Sequence, residues 1–207
     1  MKIFKYVLAI LLFLNHTSVL GKSDSTQVEK KYLTIRKLTI EPGTGIKPGP
    51  TSPSVGIMFS NLMQWNPAKR IGIVSHTSYT YNNAFLRDFS FIKTNYNYSL
   101  SQKVGIGTSI YTRHSSHTLS FMAGINFNNF KETLDNPEFE RTEFSVSSFS
   151  PDFGLMYNLK IGNEKYFFSY RMYIPLYPYP FKSEDILTID GNIANLSMEV
   201  GFGVRLK

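Results

Sequence analysis

The chain has 207 residues, 42% of them apolar and 18% charged, with a formal charge of +7 and no cysteine. That composition excludes a disordered chain, a bundle of transmembrane helices and a disulfide-held secreted scaffold. At this length the chain makes one domain, or one domain with a short extension.

The N-terminus carries an export pattern. "MKIFKY" is basic, Val7 to Leu14 is apolar, and "SVLG" supplies small residues before Lys22. Together these predict a secretory signal peptide over residues 1–21. The apolar run is well short of the roughly 20 residues a membrane-spanning helix needs. Loss of Lys2 and Lys5 lowers the charge from +7 to +5. A modest positive excess suits anionic lipid or lipopolysaccharide, and export removes nucleic acid from the expected partners.

Residues 22–53 read as a periplasmic N-terminal leader. "KSDSTQVEKK" is polar, and "YLTIRKLTIE" is compatible with a short strand. Pro42, Pro48, Pro50 and Pro53, with interleaved glycines, argue against regular pairing beyond it.

From residue 54 to 207 the pattern turns to period two, the signature of strands. Val55, Ile57 and Phe59 mark the first. "RIGIVSHTSYTYN" aligns Ile71, Ile73, Tyr79 and Tyr81, and "FSFIKTNYNYSLS" aligns Ile92, Tyr96, Tyr98 and Leu100. "KVGIGTSIYTR" and "HTLSFMAGINFN" follow, then "DFGLMYNLKI" on a strand beginning near Phe144. "KYFFSYRMYIP" and the closing "LSMEVGFGVRLK" bring the count to eight. The opposite faces carry glycine, serine, asparagine and charge.

Several segments reach eleven residues, longer than a usual globular strand and matched to a tilted bilayer crossing. Tyrosine and phenylalanine near strand ends complete the pattern of an outer-membrane barrel, and an even strand number suits it. The predicted fold is all-β: a closed antiparallel up-and-down transmembrane β-barrel of about eight strands. With both ends of the barrel facing the periplasm, residues 82–87, 114–116 and 162–164 become periplasmic turns. Residues 61–68, 101–102, 129–143 and 175–192 become outer connections.

The segments "NYNYSLSQKVGIGTSIYTR" and "SMEVGFGVRLK" resemble hairpins and closing strands of small eight-stranded outer-membrane barrels of Gram-negative, Bacteroidetes-type bacteria. The resemblance spans residues 54–207. It implies residence in the outer membrane among lipid and lipopolysaccharide. It also implies recognition of the last strand by the barrel-insertion machinery. The usual signature of that strand ends on an aromatic residue, whereas this chain ends on Lys207 with Phe202 the nearest aromatic.

An eight-stranded barrel leaves a lumen filled by side chains or wide enough for one small ligand. The inward faces place Lys93, Arg113, Arg171 and Arg205 there with Asp152 and Glu199. This set is predicted to be a paired lumen network, because buried charge requires a partner. Among the connections, "LYPYPFKSEDIL" offers Tyr177, Tyr179, Phe181 and Lys182 for contact at the lipid boundary.

Motifs for chemistry are weak. His76 with Ser78, and His114 with Ser116, match the His-x-Ser spacing of some lipid A-modifying barrels, but the first pair is predicted to face inward. His114 and His117 lack a third metal ligand, and the glycines of "GIGTSIYTR" precede no helix. No cofactor and no catalytic residue are expected. The predicted role is structural or surface-interacting. Two rivals are a soluble lipocalin-like barrel with its apolar faces inside, and a lipid A-modifying enzyme.

Overall fold

The computed structural model describes residues 38–48, 55–68, 70–81, 92–134, 143–177 and 196–206. They form β1 (Leu38–Pro48), β2 (Val55–Trp65), β3 (Ile71–Tyr81), β4 (Ile92–Tyr111), β5 (Ser115–Leu134), β6 (Glu143–Gly162), β7 (Tyr166–Tyr177) and β8 (Ser197–Leu206). Each strand pairs antiparallel with its sequence neighbour, and β1 pairs with β8 to close the barrel. The predicted signal segment 1–21 lies outside the described residues.

Eight strands are present, but they are not the predicted eight. β1 falls within residues 22–53, the stretch assigned to a leader. Its prolines are placed where the ladder tolerates them. Pro42 pairs with Asn61 on β2, while the β8 register skips Glu41 and Pro42. The gap on one side coincides with the residue that has no N–H to donate. Pro48 stands at the end of the strand.

A second correction concerns residues 101–102, predicted as an outer turn. "NYNYSLSQKVGIGTSIY" is one uninterrupted part of β4. Leu100 and Val104 point outward on either side of an exposed Gln102, while Ser101 and Lys103 are buried. The alternation therefore runs straight through a position where only the side chain changes polarity. Adding β1 and merging these two segments preserves the count and shifts the topology. The short connections are residues 66–70, 112–114 and 163–165, all at one rim. Residues 66–70 thus join the rim assigned to the periplasm, and the 82–91 connection joins the opposite one.

Local chemistry makes the short turns. Asn163 accepts from the backbone N–H groups of Lys165 and Tyr166, each at 2.8 Å, through its side-chain oxygen. Thr112 caps the β4–β5 turn by accepting from the Ser115 N–H at 3.0 Å. Asn and Thr favour turns for this reason.

Three strands outgrow the barrel wall. β4, β5 and β6 each run 20 residues. β3 pairs with β4 only from Tyr98 to Thr108, and β7 with β6 only from Phe153 to Gly162. Residues 92–97 of β4 and 143–152 of β6 therefore pair only with β5; Asn97, Ser150 and Asp152 at the base of this stretch are buried, and its outer part extends as a three-stranded ribbon beyond the rim of long connections. A bulge at Asn95 shifts the β4–β5 register within that ribbon.

The side chains are sorted inside out. Ile106 and Phe168 are 66% and 70% exposed, whereas Arg171 and Glu41 are 0% exposed. Aliphatic residues such as Ile73, Val104, Ile106 and Val200 form the outer belt. Trp65 and Tyr166 stand at the short-turn rim, and Tyr79, Tyr81 and Phe149 toward the other. Inside, Leu62, Val74, Met122, Met156 and Tyr173 form a small apolar layer among polar neighbours.

Glycines on the inner face make room for the largest buried side chains. A Cβ on Gly43 would overlap Arg171 Nη2 and stand 2.8 Å from the Val200 carbonyl oxygen. Gly43→Val is therefore expected to destabilise the barrel by about 1–3 kcal/mol, the usual cost of overpacking. A lowered urea midpoint of the refolded barrel checks this.

Candidate functional site

Among the described residues the lumen holds three polar clusters, each assembled from strands far apart in sequence. At the short-turn end, Lys160 on β6 lies 2.5 Å from Glu41 Oε1 on β1. Lys160 also donates to Thr39 Oγ1 at 3.0 Å and Gln64 Oε1 at 2.8 Å. Asn158 donates to the other Glu41 oxygen at 3.0 Å. Gln64 in turn donates to Asn66 and Ser109, at 2.8 Å and 3.3 Å.

The second cluster centres on Glu199 of β8. Arg171 Nη2 lies 3.4 Å and His76 Nε2 3.1 Å from its carboxylate. Ser60 donates to Glu199 Oε2 at 2.6 Å. Arg171 also donates to Ser60 Oγ and to the Glu41 carbonyl, tying this cluster to the first.

The third lies nearer the opposite rim. Lys103 Nζ is 3.0 Å from Asp152 Oδ2 and donates to Ser101 at 2.6 Å. Tyr173 donates its hydroxyl to Asp152 Oδ1 at 2.5 Å, and Asn126 donates to Oδ2 at 3.0 Å. Along β5 and β6, Met122 and Met156 separate this cluster from Asn158 and Lys160.

The predicted network is thus partly regrouped. Arg171 and Glu199 do meet, but Asp152 is held by Lys103 and Tyr173 instead of by Arg171. Arg205 is buried at the short-turn end, over the Phe167 ring at 4.5 Å, with Asn163 O as its hydrogen-bond acceptor. Arg113 is a correction: it sits exposed in the β4–β5 turn, because β4 ends at Tyr111. Lys93 belongs to β4, with its side chain outside the description, as are the side chain of Tyr177 and residues Tyr179, Phe181 and Lys182.

Sequence reasoning missed Glu41, Lys47, Lys103 and Lys160. Glu41 and Lys47 lay in the segment set aside as a leader, and Lys103 bordered the supposed turn. Lys160 carried a usable signal, since it falls at inward parity between Leu159 and Ile161. Among the described buried residues, five lysines and arginines face three carboxylates. Charge burial here therefore also draws on neutral partners: Lys47 donates to Ser99 at 3.3 Å, and Arg205 uses a ring and a carbonyl.

The His-x-Ser pairs take different places. His76 and Ser78 are buried in the lumen at 1% and 5% exposure. A carboxylate reaches His76, that of Glu199, and it comes across the lumen from β8, not from a strand adjacent to β3. The other ring nitrogen, Nδ1, has no hydrogen-bond partner among the described residues. His114 is exposed in the turn, while Ser116 is buried inside. His117 faces outward, with Nδ1 2.8 Å from the Tyr157 hydroxyl and Nε2 3.2 Å from Ser115 Oγ. No group of three metal-ligating residues occurs among the described residues.

The projecting ribbon is polar and internally bonded. Thr133 donates to Asn95 at 2.7 Å, Asn129 to the Tyr98 hydroxyl at 2.8 Å, and Ser147 to Asn129 at 3.3 Å. Lys131 and Glu143 form an ion pair at 2.9 Å across β5 and β6.

Removing one partner of a buried ion pair leaves the other uncompensated. Glu41→Gln is expected to cost about 3–5 kcal/mol. The double change Glu41→Leu with Lys160→Met is expected to be less destabilised than either single change, read from urea midpoints in lipid vesicles.

No protein-family model matches this sequence, and no curated protein matches it either. Solved structures do share the fold. One is the attachment invasion locus protein Ail of Yersinia pestis, at 12% identity and a TM-score of 0.55, covering 83% of this chain and all of that one. Another is Neisserial surface protein A, at 9% identity and a TM-score of 0.50, covering 82% of this chain and 96% of that one. The chain is a closed eight-stranded antiparallel β-barrel of the architecture seen in these outer-membrane proteins.

Proposed function

We propose that this protein is an integral outer-membrane barrel whose role is structural or surface-interacting, with a lumen filled by side chains. The observation that carries this reading is the inverted burial: isoleucine and phenylalanine outside, arginine, glutamate and lysine inside. In water such a surface is a contiguous apolar liability, whereas in lipid it is the required solvent match. The lipocalin-like alternative needs the opposite sorting, with apolar residues lining the interior.

In this reading lipid and lipopolysaccharide surround the belt, and β8 serves as the insertion signal, as in the Bacteroidetes-type barrels its sequence resembles. The export signal over residues 1–21 delivers the chain. The ribbon of β4, β5 and β6 stands on the outer side with the three longest connections, among them the one holding Tyr179, Phe181 and Lys182. These are the parts that meet an external partner. The packed polar lumen is the barrel's structural core, and the buried His76–Ser78 pair, sealed from lipid, does not favour an enzyme.

Two measurements test the reading. The extracted chain is expected in the outer-membrane fraction, migrating differently on electrophoresis before and after boiling. In addition, Ile106→Arg is expected to cost about 2–4 kcal/mol in lipid. The same change on a water-exposed surface stays within about 0.5 kcal/mol. A soluble periplasmic chain that tolerates Ile106→Arg would overturn the proposal.

A further inference from the structure

The outer belt is broken by a compact set of polar side chains. Asn61 on β2 is in register with Thr77 on β3, and Thr77 with Gln102 on β4. The row therefore crosses three strands, about 10 Å. Gln102 Oε1 accepts from Thr77 at 2.5 Å, and its Nε2 donates to Ser75 at 3.0 Å. These groups lie at belt height, away from its rims. Along each strand they are bracketed by exposed apolar residues: Phe59 and Met63, Ile73 and Tyr79, Leu100 and Val104. By contrast, the outward residues of β7 from Tyr166 to Ile174, and of β8 from Met198 to Leu206, are apolar without a break.

A carboxamide offers two N–H donors and two acceptor lone pairs, and each hydroxyl both donates and accepts. Gln102 Nε2 also donates to the Lys103 carbonyl oxygen at 3.5 Å, and the remaining capacity, the Asn61 carboxamide and the second lone pair of Gln102 Oε1 above all, is directed outward. Hydrocarbon cannot satisfy it, and polar groups at that depth are costly unless partnered. We infer that the β2–β4 face is a contact between two copies of this chain within the membrane, with Asn61, Ser75, Thr77 and Gln102 at its centre.

The occupant follows from the chemistry of the cluster and from membrane geometry. Groups that both donate and accept are complementary to themselves. Two copies inserted in the same orientation are related by a two-fold axis along the membrane normal, which sets the cluster against itself as an isologous contact. A lipid headgroup resides at the rims and does not reach this height, and acyl chains offer no partner. Hydrogen bonds of this kind act as the polar glue between membrane segments. The inference rests on the membrane reading above.

The absence of cysteine from the chain allows a clean test in lipid nanodiscs or vesicles. Thr77→Cys is expected to form a disulfide-linked dimer under mild oxidation, whereas Phe168→Cys on the opposite face is expected to remain monomeric. In the cysteine-free chain, Asn61→Leu with Gln102→Leu should weaken dimerisation roughly tenfold or more, read by mass in dilution series. Those leucines make the face more compatible with lipid, so the barrel is retained, and its heat-modifiable migration verifies this. A heat-modifiable, membrane-inserted chain that stays monomeric at all concentrations overturns the dimer alone. A dimer unaffected by the double leucine change, or equal cross-linking at Phe168→Cys, also overturns it. A chain without heat-modifiability in the soluble fraction would overturn the membrane reading itself.

Discussion

The pairing of β1 with β8 is the contact on which the rest of the structure depends. In hydrocarbon an unpaired backbone N–H or C=O costs several kcal/mol, so a sheet placed there must close on itself. Closure recruits Leu38–Pro48 despite Pro42, because the ladder to β2 is continuous while the gap falls on the β8 side. It also converts two chemically distinct faces into an outside and an inside. Without β1, the gap between β2 and β8 would expose two edges, and Glu41 would be missing from the lumen.

The interior then has its own problem, which is to bury charge in a narrow tube. The solution is a set of ion pairs supplemented by hydroxyls, amides and rings: Glu41 with Lys160, Glu199 with Arg171 and His76, Asp152 with Lys103 and Tyr173. Inner-face glycines leave the space these long side chains need, as Gly43 does for Arg171. A core of this kind holds the barrel from within by specific geometry, since each charge is stable only in the place where its partners stand. In the proposed reading, function falls to the surfaces: the ribbon beyond one rim and the polar row within the belt.

The polar row also explains where the sequence misleads. A search for alternating apolar residues ends the second strand at Asn61 and breaks the fourth at Gln102, since at those positions the outward residue is polar. Both residues in fact continue their strands with the alternation intact. The row thus produced one supposed loop and one supposed turn. Similarly, the proline and glycine content of β1 reads as a breaker because the tolerance of a proline depends on which neighbour its nitrogen faces.

Alternation along each segment was legible from the residues alone. It assigns Ile106 and Phe168 to the outside and Arg171 and Glu199 to the inside because side-chain direction in a strand is a local property with a period of two. The fold class and the filled, polar lumen follow from that parity. Register and closure are not local. They set Lys160 against Glu41 and brought Glu199 across the lumen to His76, pairs separated by more than a hundred residues. They also aligned Asn61, Thr77 and Gln102 into one row. Parity tells a side chain which way to point, whereas its partner is selected only when the hydrogen-bonded ladders fix how far each strand slides past the next.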